Sequence, residues 1–301
     1  MEHARSIEDV EGLLASCDYV ADRSLAVSIF LALSLEKPLF LEGEAGVGKT
    51  EVAKVLASGL HRRLIRLQCY EGLDVSHALY EWNYAKQILH IRLAEGKDPG
   101  GAQAATEREI FGPEYMIKRP LMQAIEDSDE HPAVLLIDEI DRADEEFEAF
   151  LLEMLSDFQV TVPEIGTFAA KRKPIVVLTS NRTREVHDAL KRRCLYYWID
   201  YPDLERESTI VETKVPGISK RLAREACAYV AALRTEPFFK LPGIAETIDW
   251  AAALVALGSS ALDERVVTDT IGCVLKYQED VKRARETGPA ARLDHARKAA
   301  L

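Results

Sequence analysis

The sequence predicts an α/β fold, a parallel-sheet αβα sandwich followed by a smaller all-α domain, and two observations predict it. The first is a set of short apolar runs at 38–41, 64–67, 134–137, 175–179 and 195–199, with helical stretches between them. Runs this short and this uniformly apolar suit strands buried on both faces of a parallel sheet, and their alternation with helices suits the α/β class. The second is a change after Tyr201-Pro202. Strand-like runs stop there, and apolar residues recur at helical spacing over 204–211, 220–233, 247–257 and 266–277. The predicted boundaries are therefore 1–202 for the sheet domain and 203–301 for the helical one. In the first domain a helix over 25–35 precedes the first strand, and a second helix over 51–60 follows it. The terminal piece, 288–301, is rich in Ala, Arg and Lys and reads as a frayed or detached helix.

With 301 residues, 48% of them apolar and 29% charged, the chain can bury a full core. Its formal charge of -12 would repel a phosphate backbone. The basic runs at 171–173, 191–193 and 282–285 are short, so nucleic acid is not a predicted partner. Five scattered cysteines without a Cys-x-x-Cys pair suit a reducing compartment. The start MEHARSIEDVEGL is too acidic for a signal peptide, and no apolar run approaches the ~20 residues of a membrane span. A cytoplasmic protein is the expectation. The histidines show no metal-ligand spacing, and no G-x-S-x-G elbow is present.

The chemistry concentrates in two places. Gly43-Glu44-Ala45-Gly46-Val47-Gly48-Lys49-Thr50 fits G-x-x-x-x-G-K-[ST] and lies between a predicted strand and a predicted helix, where it can act. Glycines let the main chain wrap a phosphate with its N–H groups inward, and the positive end of the following helix favours the anion. The motif predicts ATP binding by Gly43 to Thr50 and the adjoining Glu51. Lys49 is expected to reach the β and γ phosphates, and Thr50 to ligate Mg²⁺.

The second place is Val134-Leu135-Leu136-Ile137-Asp138-Glu139, an apolar strand that ends in two acids. Strands often end in solvated acids. Beside the glycine loop, however, these two would lie at the rim of the sheet where ligands of open α/β sheets bind. Asp138 is then expected to hold Mg²⁺ and Glu139 to act as general base on the attacking water. The acids that follow, Asp141, Asp144, Glu145, Glu146 and Glu148, read as a solvated helix face.

Together with Leu178-Thr179-Ser180-Asn181 and Ala189-Leu190-Lys191-Arg192-Arg193-Cys194, these elements resemble the P-loop AAA+ ATPases. The resemblance implies an ATP-hydrolysing enzyme, a helical lid in the second domain, Asn181 as the sensor 1 residue that orients water, and Arg193 as an arginine finger reaching a neighbouring subunit. Arg192, its basic neighbour, remains the alternative. Within AAA+ the chain is similar to the MoxR family and its CoxD-like branch. The similarity rests on Gln68-Cys69-Tyr70-Glu71-Gly72-Leu73-Asp74, Tyr80-Glu81-Trp82-Asn83-Tyr84, Lys118-Arg119-Pro120-Leu121, the segment 146–153 and Thr179-Ser180-Asn181-Arg182-Thr183-Arg184. It implies a ring, expected to be a homohexamer, with chaperone-like remodelling or cofactor insertion into a client. The implied partners are a von Willebrand factor A domain protein and a molybdenum-containing carbon monoxide dehydrogenase or related hydroxylase.

The stretch between Lys49 and Asp138 is longer than one strand and one helix can fill, and the aromatic-rich 80–93 supplies the expected insertion. Residues 160–168 read as a hairpin. Trp82, Tyr84 and Ile165 are candidates for partner contact or, equally, for packing beneath these projections. One departure stands out: Ala245-Glu246-Thr247-Ile248-Asp249-Trp250 lacks the sensor 2 arginine that such lids offer, leaving Arg221 or Arg224 as substitutes. Two other readings stay open. The resemblance of Arg192-Arg193-Cys194 to the clamp-loader Ser-Arg-Cys motif allows a DNA-transaction ATPase, and the missing arginine allows an ATP-gated assembly module with little turnover.

Overall fold

A computed structural model describes residues 5–95, 110–127 and 131–299. In chain order its strands are β1 (Leu39–Gly43), β2 (Leu64–Gln68), β3 (Tyr80–Trp82), β4 (Met116–Lys118), β5 (Val134–Asp138), β6 (Gln159–Val162), β7 (Gly166–Ala169), β8 (Ile175–Ser180) and β9 (Leu195–Ile199). Five of them form one sheet ordered β2-β5-β8-β1-β9. β2 with β5, β5 with β8 and β8 with β1 pair in parallel, with Gln68 opposite Asp138 and Glu42 opposite Ser180. Every residue of β1 and β5 is buried, as expected of strands covered on both faces.

The chain divides into two compact units: Met1–Leu13, Arg23–Glu42 and Ala53–Tyr197 in the first, and Leu14–Asp22, Gly43–Val52 and Trp198–Leu301 in the second. The first unit centres on Phe40, Leu67, Ile137 and Leu178 from the sheet, packed with Met122, Phe147 and Leu151. Between β2 and β5 lies the stretch in which an insertion was expected at 80–93. It holds an antiparallel β3–β4 pair, a short helix Val75–Ala78 capped by Asp74, and helices Tyr84–Glu95 and Pro120–Glu126. Trp82 is buried edge-on to Tyr80 and Phe111, so of the three partner-contact candidates this one packs inward. Tyr84 is 61% exposed, and Ile165 is half-buried against the core. β6 and β7 form the expected hairpin, with Val162 opposite Gly166.

In the second unit, helices Leu204–Lys214, Lys220–Arg234 and Ile244–Ala256 follow the predicted periodicity to within a few residues at their ends. The helix expected over 266–277 does not form as one piece. It is Glu264–Thr270, a 3₁₀ turn Ile271–Cys273, and a new helix Gln278–Glu286. Gly272 lowers helix propensity at the break, and the turn carries Ile271, Val274 and Leu275 into one core with Trp250 and Leu254.

The terminal segment, over its described residues 288–299, is likewise neither frayed nor detached. Gly288, at φ 76°, ends the preceding helix and Pro289 opens the next, Pro289–Ala299. Leu293 and Ala296 join the core around Tyr229, and buried Arg292 pairs with Glu236 at 2.5 Å. Its Arg and Ala content hid two buried apolar positions among polar neighbours. Among the described residues, no helix is long and apolar enough to cross a membrane. Leu293→Ala is expected to lower unfolding free energy by about 2–5 kcal/mol in a denaturant titration, whereas a detached helix would leave it unchanged.

Candidate functional site

The glycine loop begins where β1 ends, and its geometry demands its glycines. A Cβ on Gly43 would stand 2.3 Å from the carbonyl oxygen of Ile199, so the main chains approach too closely for a side chain. Gly46 and Gly48 have φ of 77° and 96°, the left-handed region that glycine adopts at little cost. Helix Lys49–Gly59 starts at the lysine itself. Lys49 is buried, with its ammonium held 2.8 Å from the carbonyl of Gly43 and 2.6 Å from that of Glu44. The cation is thus kept over the loop by main-chain dipoles. Glu44 and Gly46 are exposed, while Thr50 and Glu51 at the helix start are half-buried.

The same loop is stitched to the helical region. Ile244 and Ala245 donate their N–H groups to the carbonyl of Gly46 at 3.1 and 3.3 Å. A Cβ on Gly243 would meet the Ala45 carbonyl oxygen at 2.6 Å and the Gly46 Cα at 2.9 Å, so this glycine is what allows the approach. Helix Ile244–Ala256 therefore meets the loop through main chain and carries no arginine. Arg221 pairs with Glu225 at 2.8 Å and Arg224 with Glu205 at 2.7 Å, so both substitutes are engaged within their own unit. Behind the helix start lies a network the sequence did not disclose. Arg234 grips Glu207 through two bonds of 2.7 Å, donates to the Pro242 carbonyl at 2.8 Å and lies 4.5 Å over the Tyr201 ring. Thr247 donates to Glu207 at 2.8 Å. Tyr19 is a further neighbour of the loop; burial pushes its phenol pKa up, and its hydroxyl lies 3.8 Å from where a Cβ on Gly48 would be.

In the first unit, Asp138 ends β5 and Glu139 follows it, both inside a cage of donors. The Thr179 hydroxyl donates to Asp138 Oδ1 at 2.5 Å and accepts from the Glu139 N–H at 2.9 Å. Arg66 places Nη2 2.6 Å and Nε 3.1 Å from Asp138 Oδ2. Gln68 donates to Glu139 Oε2 at 3.0 Å, Asn181 to Oε1 at 3.2 Å, and Arg142 stands 3.4 Å from Oε2. Glu139 has φ 55°, a left-handed conformation that strains a non-glycine residue and that the surrounding bonds hold in place. Of the predicted residues, Asp138, Glu139 and Asn181 come together here. Arg66, Gln68, Thr179 and Arg142 complete the group; the register of β2 against β5 and β8 beside it was the missing signal.

The acids after Glu139 correct the expected solvated face. Asp141 is buried and accepts from the N–H groups of Asn181 at 3.1 Å and Thr183 at 2.9 Å, and from the Thr183 hydroxyl at 2.6 Å. Burial opposes its charge, but these bonds outweigh burial and hold its pKa below the usual carboxylate value. Glu148, also buried, pairs with Arg184 and accepts from the His187 N–H at 2.7 Å. Asp144 caps helix Glu145–Asp157. Only Glu145 and Glu146 of the five acids remain exposed helix-face residues. Arg193 ends helix Asp188–Arg193, and both it and Arg192 are exposed.

Among the described residues no group of three or more His, Cys, Asp or Glu side chains is arranged to hold a metal ion. A threonine hydroxyl and an aspartate carboxylate are each oxygen donors of the kind magnesium takes, alongside several water and phosphate ligands.

The sheet order, with a glycine loop after β1 and an acid pair after β5, defines an AAA+ nucleotide-binding ATPase fold. The AAA domain (dynein-related subfamily) matches residues 38–194, and the chain belongs to that family. No curated protein matches the sequence. Among solved structures, the Thermotoga maritima RuvB P216G mutant is 15% identical, covering 92% of this chain and 72% of its own, with a TM-score of 0.48. A Cytophaga hutchinsonii protein provisionally called an ATPase is 14% identical, covering 97% and 93%, at 0.45. The Thermotoga maritima RuvB Holliday junction branch migration motor is 16% identical, covering 89% and 72%, at 0.45.

Thr179→Val would strip the Glu139 N–H of its acceptor, and a loss of about 1–3 kcal/mol is expected in thermal or chemical unfolding. Gly243→Val should weaken nucleotide binding about tenfold or more in a fluorescent-nucleotide titration, because the helix start can no longer seat on Gly46. Unaltered affinity would mean that the seam at Gly46 is incidental.

Proposed function

We propose that the chain binds ATP and hydrolyses it to ADP and phosphate to drive remodelling of a client protein, with the glycine loop and the acid pair as its working parts. The observation that carries this reading is the acid pair held at the end of β5 by Thr179, Asn181 and Gln68, in the same sheet as the strand that feeds the glycine loop. In it, residues 1–202 are the nucleotide-binding domain and 203–301 its lid.

The glycine loop, from Gly43 through Thr50 with Glu51 adjoining, cradles the triphosphate with main-chain N–H groups, and Lys49 exchanges its carbonyl partners for phosphate oxygens. Thr50 and Asp138 would hold Mg²⁺, which supplies neutralising charge on the phosphate oxygens. Glu139 takes a proton from water as the water oxygen bonds to the γ-phosphorus. The bond from that phosphorus to the β–γ bridging oxygen breaks, and its electron pair leaves with ADP. Asn181 and Gln68, each bonded to a different Glu139 oxygen, aim the carboxylate. Arg193, supplied to a neighbouring subunit, neutralises charge that builds on the γ-phosphoryl oxygens, an effect worth ~10³ to 10⁵ in rate where such fingers act.

The finer assignment follows the resemblance to the MoxR family and its CoxD-like branch. It comprises a homohexameric ring in the cytoplasm, a von Willebrand factor A domain partner, and a carbon monoxide dehydrogenase or related molybdenum hydroxylase as client. A second reading, an assembly module with little turnover, is favoured by one observation: Arg221 and Arg224 are both committed to carboxylates, and helix Ile244–Ala256 offers no arginine.

Steady-state turnover separates the two readings. Lys49→Ala should lose nucleotide binding, and Glu139→Gln should bind ATP but fall at least 100-fold in turnover. Arg193→Ala should bind yet fail to turn over. A wild type as inert as Glu139→Gln would leave the assembly reading standing and remove the motor one.

A further inference from the structure

Glu42 is the last residue before the glycine loop and a buried carboxylate that the chemistry above leaves unused. It is 3% exposed and lies opposite Ser180, one residue before Asn181. Oε2 accepts from the Tyr196 hydroxyl at 2.8 Å. Oε1 is buried without a hydrogen bond and faces the Lys191 ammonium at 3.7 Å. That ammonium also lies 5.9 Å over the ring of Phe40, on the same strand as Glu42. Burial and the bond to Glu42 push the Tyr196 phenol up to about 12, so it stays a donor to the carboxylate and adds no second anion. A carboxylate removed from water persists only when it is paired, so the Lys191 cation is bound to this spot by electrostatics rather than by surface chance.

Lys191 is in the last turn of helix Asp188–Arg193, directly before Arg192 and Arg193. Successive helical residues point about 100° apart. With Leu190 sunk in the core and Lys191 fixed on Glu42, the rotation of the helix about its axis is set, and the two arginines are turned outward. We propose that Lys191, through its pairing with buried Glu42, is the positioning residue that couples the strand feeding the glycine loop to the arginines this subunit presents to its neighbour. A shift of Glu42 as the adjoining loop takes up phosphates is passed to the helix that carries Arg193. The inference rests on the reading of Arg193 as an arginine acting between subunits.

Lys191→Met should bind a fluorescent ADP analogue like the wild type and turn ATP over roughly tenfold more slowly, a size typical of coupling between sites. Lys191→Arg should restore most of the rate, and Glu42→Gln combined with Lys191→Met should be no slower than the slower single variant. Mixed assemblies give the sharper test. Lys191→Met protomers mixed with Glu139→Gln protomers, whose arginines are intact, should regain turnover as Arg193→Ala protomers do in the same mixture. Wild-type turnover by Lys191→Met would overturn the proposal, as would a mixture that stays inert where Arg193→Ala recovers. Loss of ADP binding in both Lys191 variants would make the pair a folding requirement and overturn it too. If Arg193→Ala also fails to recover, the arginine reading itself falls.

Discussion

Two carboxylates on adjacent residues at the end of a buried strand repel each other, and the site depends on how that repulsion is managed. Asp138 and Glu139 are held apart in direction by the left-handed turn at Glu139 and are answered by Thr179, Arg66, Gln68, Asn181 and Arg142. Thr179 is central because one hydroxyl serves both, donating to the first side chain and accepting from the main chain of the second. A strained backbone needs neighbours that over-determine it, and here they come from the flanking strands β2 and β8 and the turn that follows β5. The sheet order is therefore part of the chemistry as well as of the fold.

The loop is managed by a different means. Its cation is parked on loop carbonyls, and its Gly46 carbonyl is claimed by the start of helix Ile244–Ala256. The start of that helix offers main-chain N–H groups to the loop and no arginine. The Arg234–Glu207–Thr247 group is hydrogen-bonded at that helix start, with Arg234 also donating to the Pro242 carbonyl.

Much of this was readable beforehand, for reasons particular residues make plain. β1, β5 and β8 were legible because strands buried on both faces must be continuously apolar, β9 because its aromatic and β-branched run suits a strand although only Ile199 of it is buried, and the glycine motif because its spacing is dictated by the turn it makes. The burial of Asp141 and Glu148 was not legible, since an acid bonded to main-chain N–H groups reads in one dimension like an acid in water. Nor was Arg66, whose role arises only when β2 is set beside β5. The terminal helix was misread because two apolar residues, Leu293 and Ala296, suffice to seat it when Arg292 is paired with Glu236. The first helix, Ile7–Ser16, carries a readable start in Ser6 and Asp9, each accepting from the main chain of the other.

The central claim is that main-chain amides and Lys49 grip a nucleotide that Asp138 helps to bind through magnesium. Equilibrium titration of the purified wild-type chain with ATP, run with and without magnesium, tests this most directly. The account predicts saturable, stoichiometric binding that magnesium tightens and that Asp138→Ala renders insensitive to magnesium. Absence of binding, or tight binding indifferent to magnesium in the wild type, would contradict it.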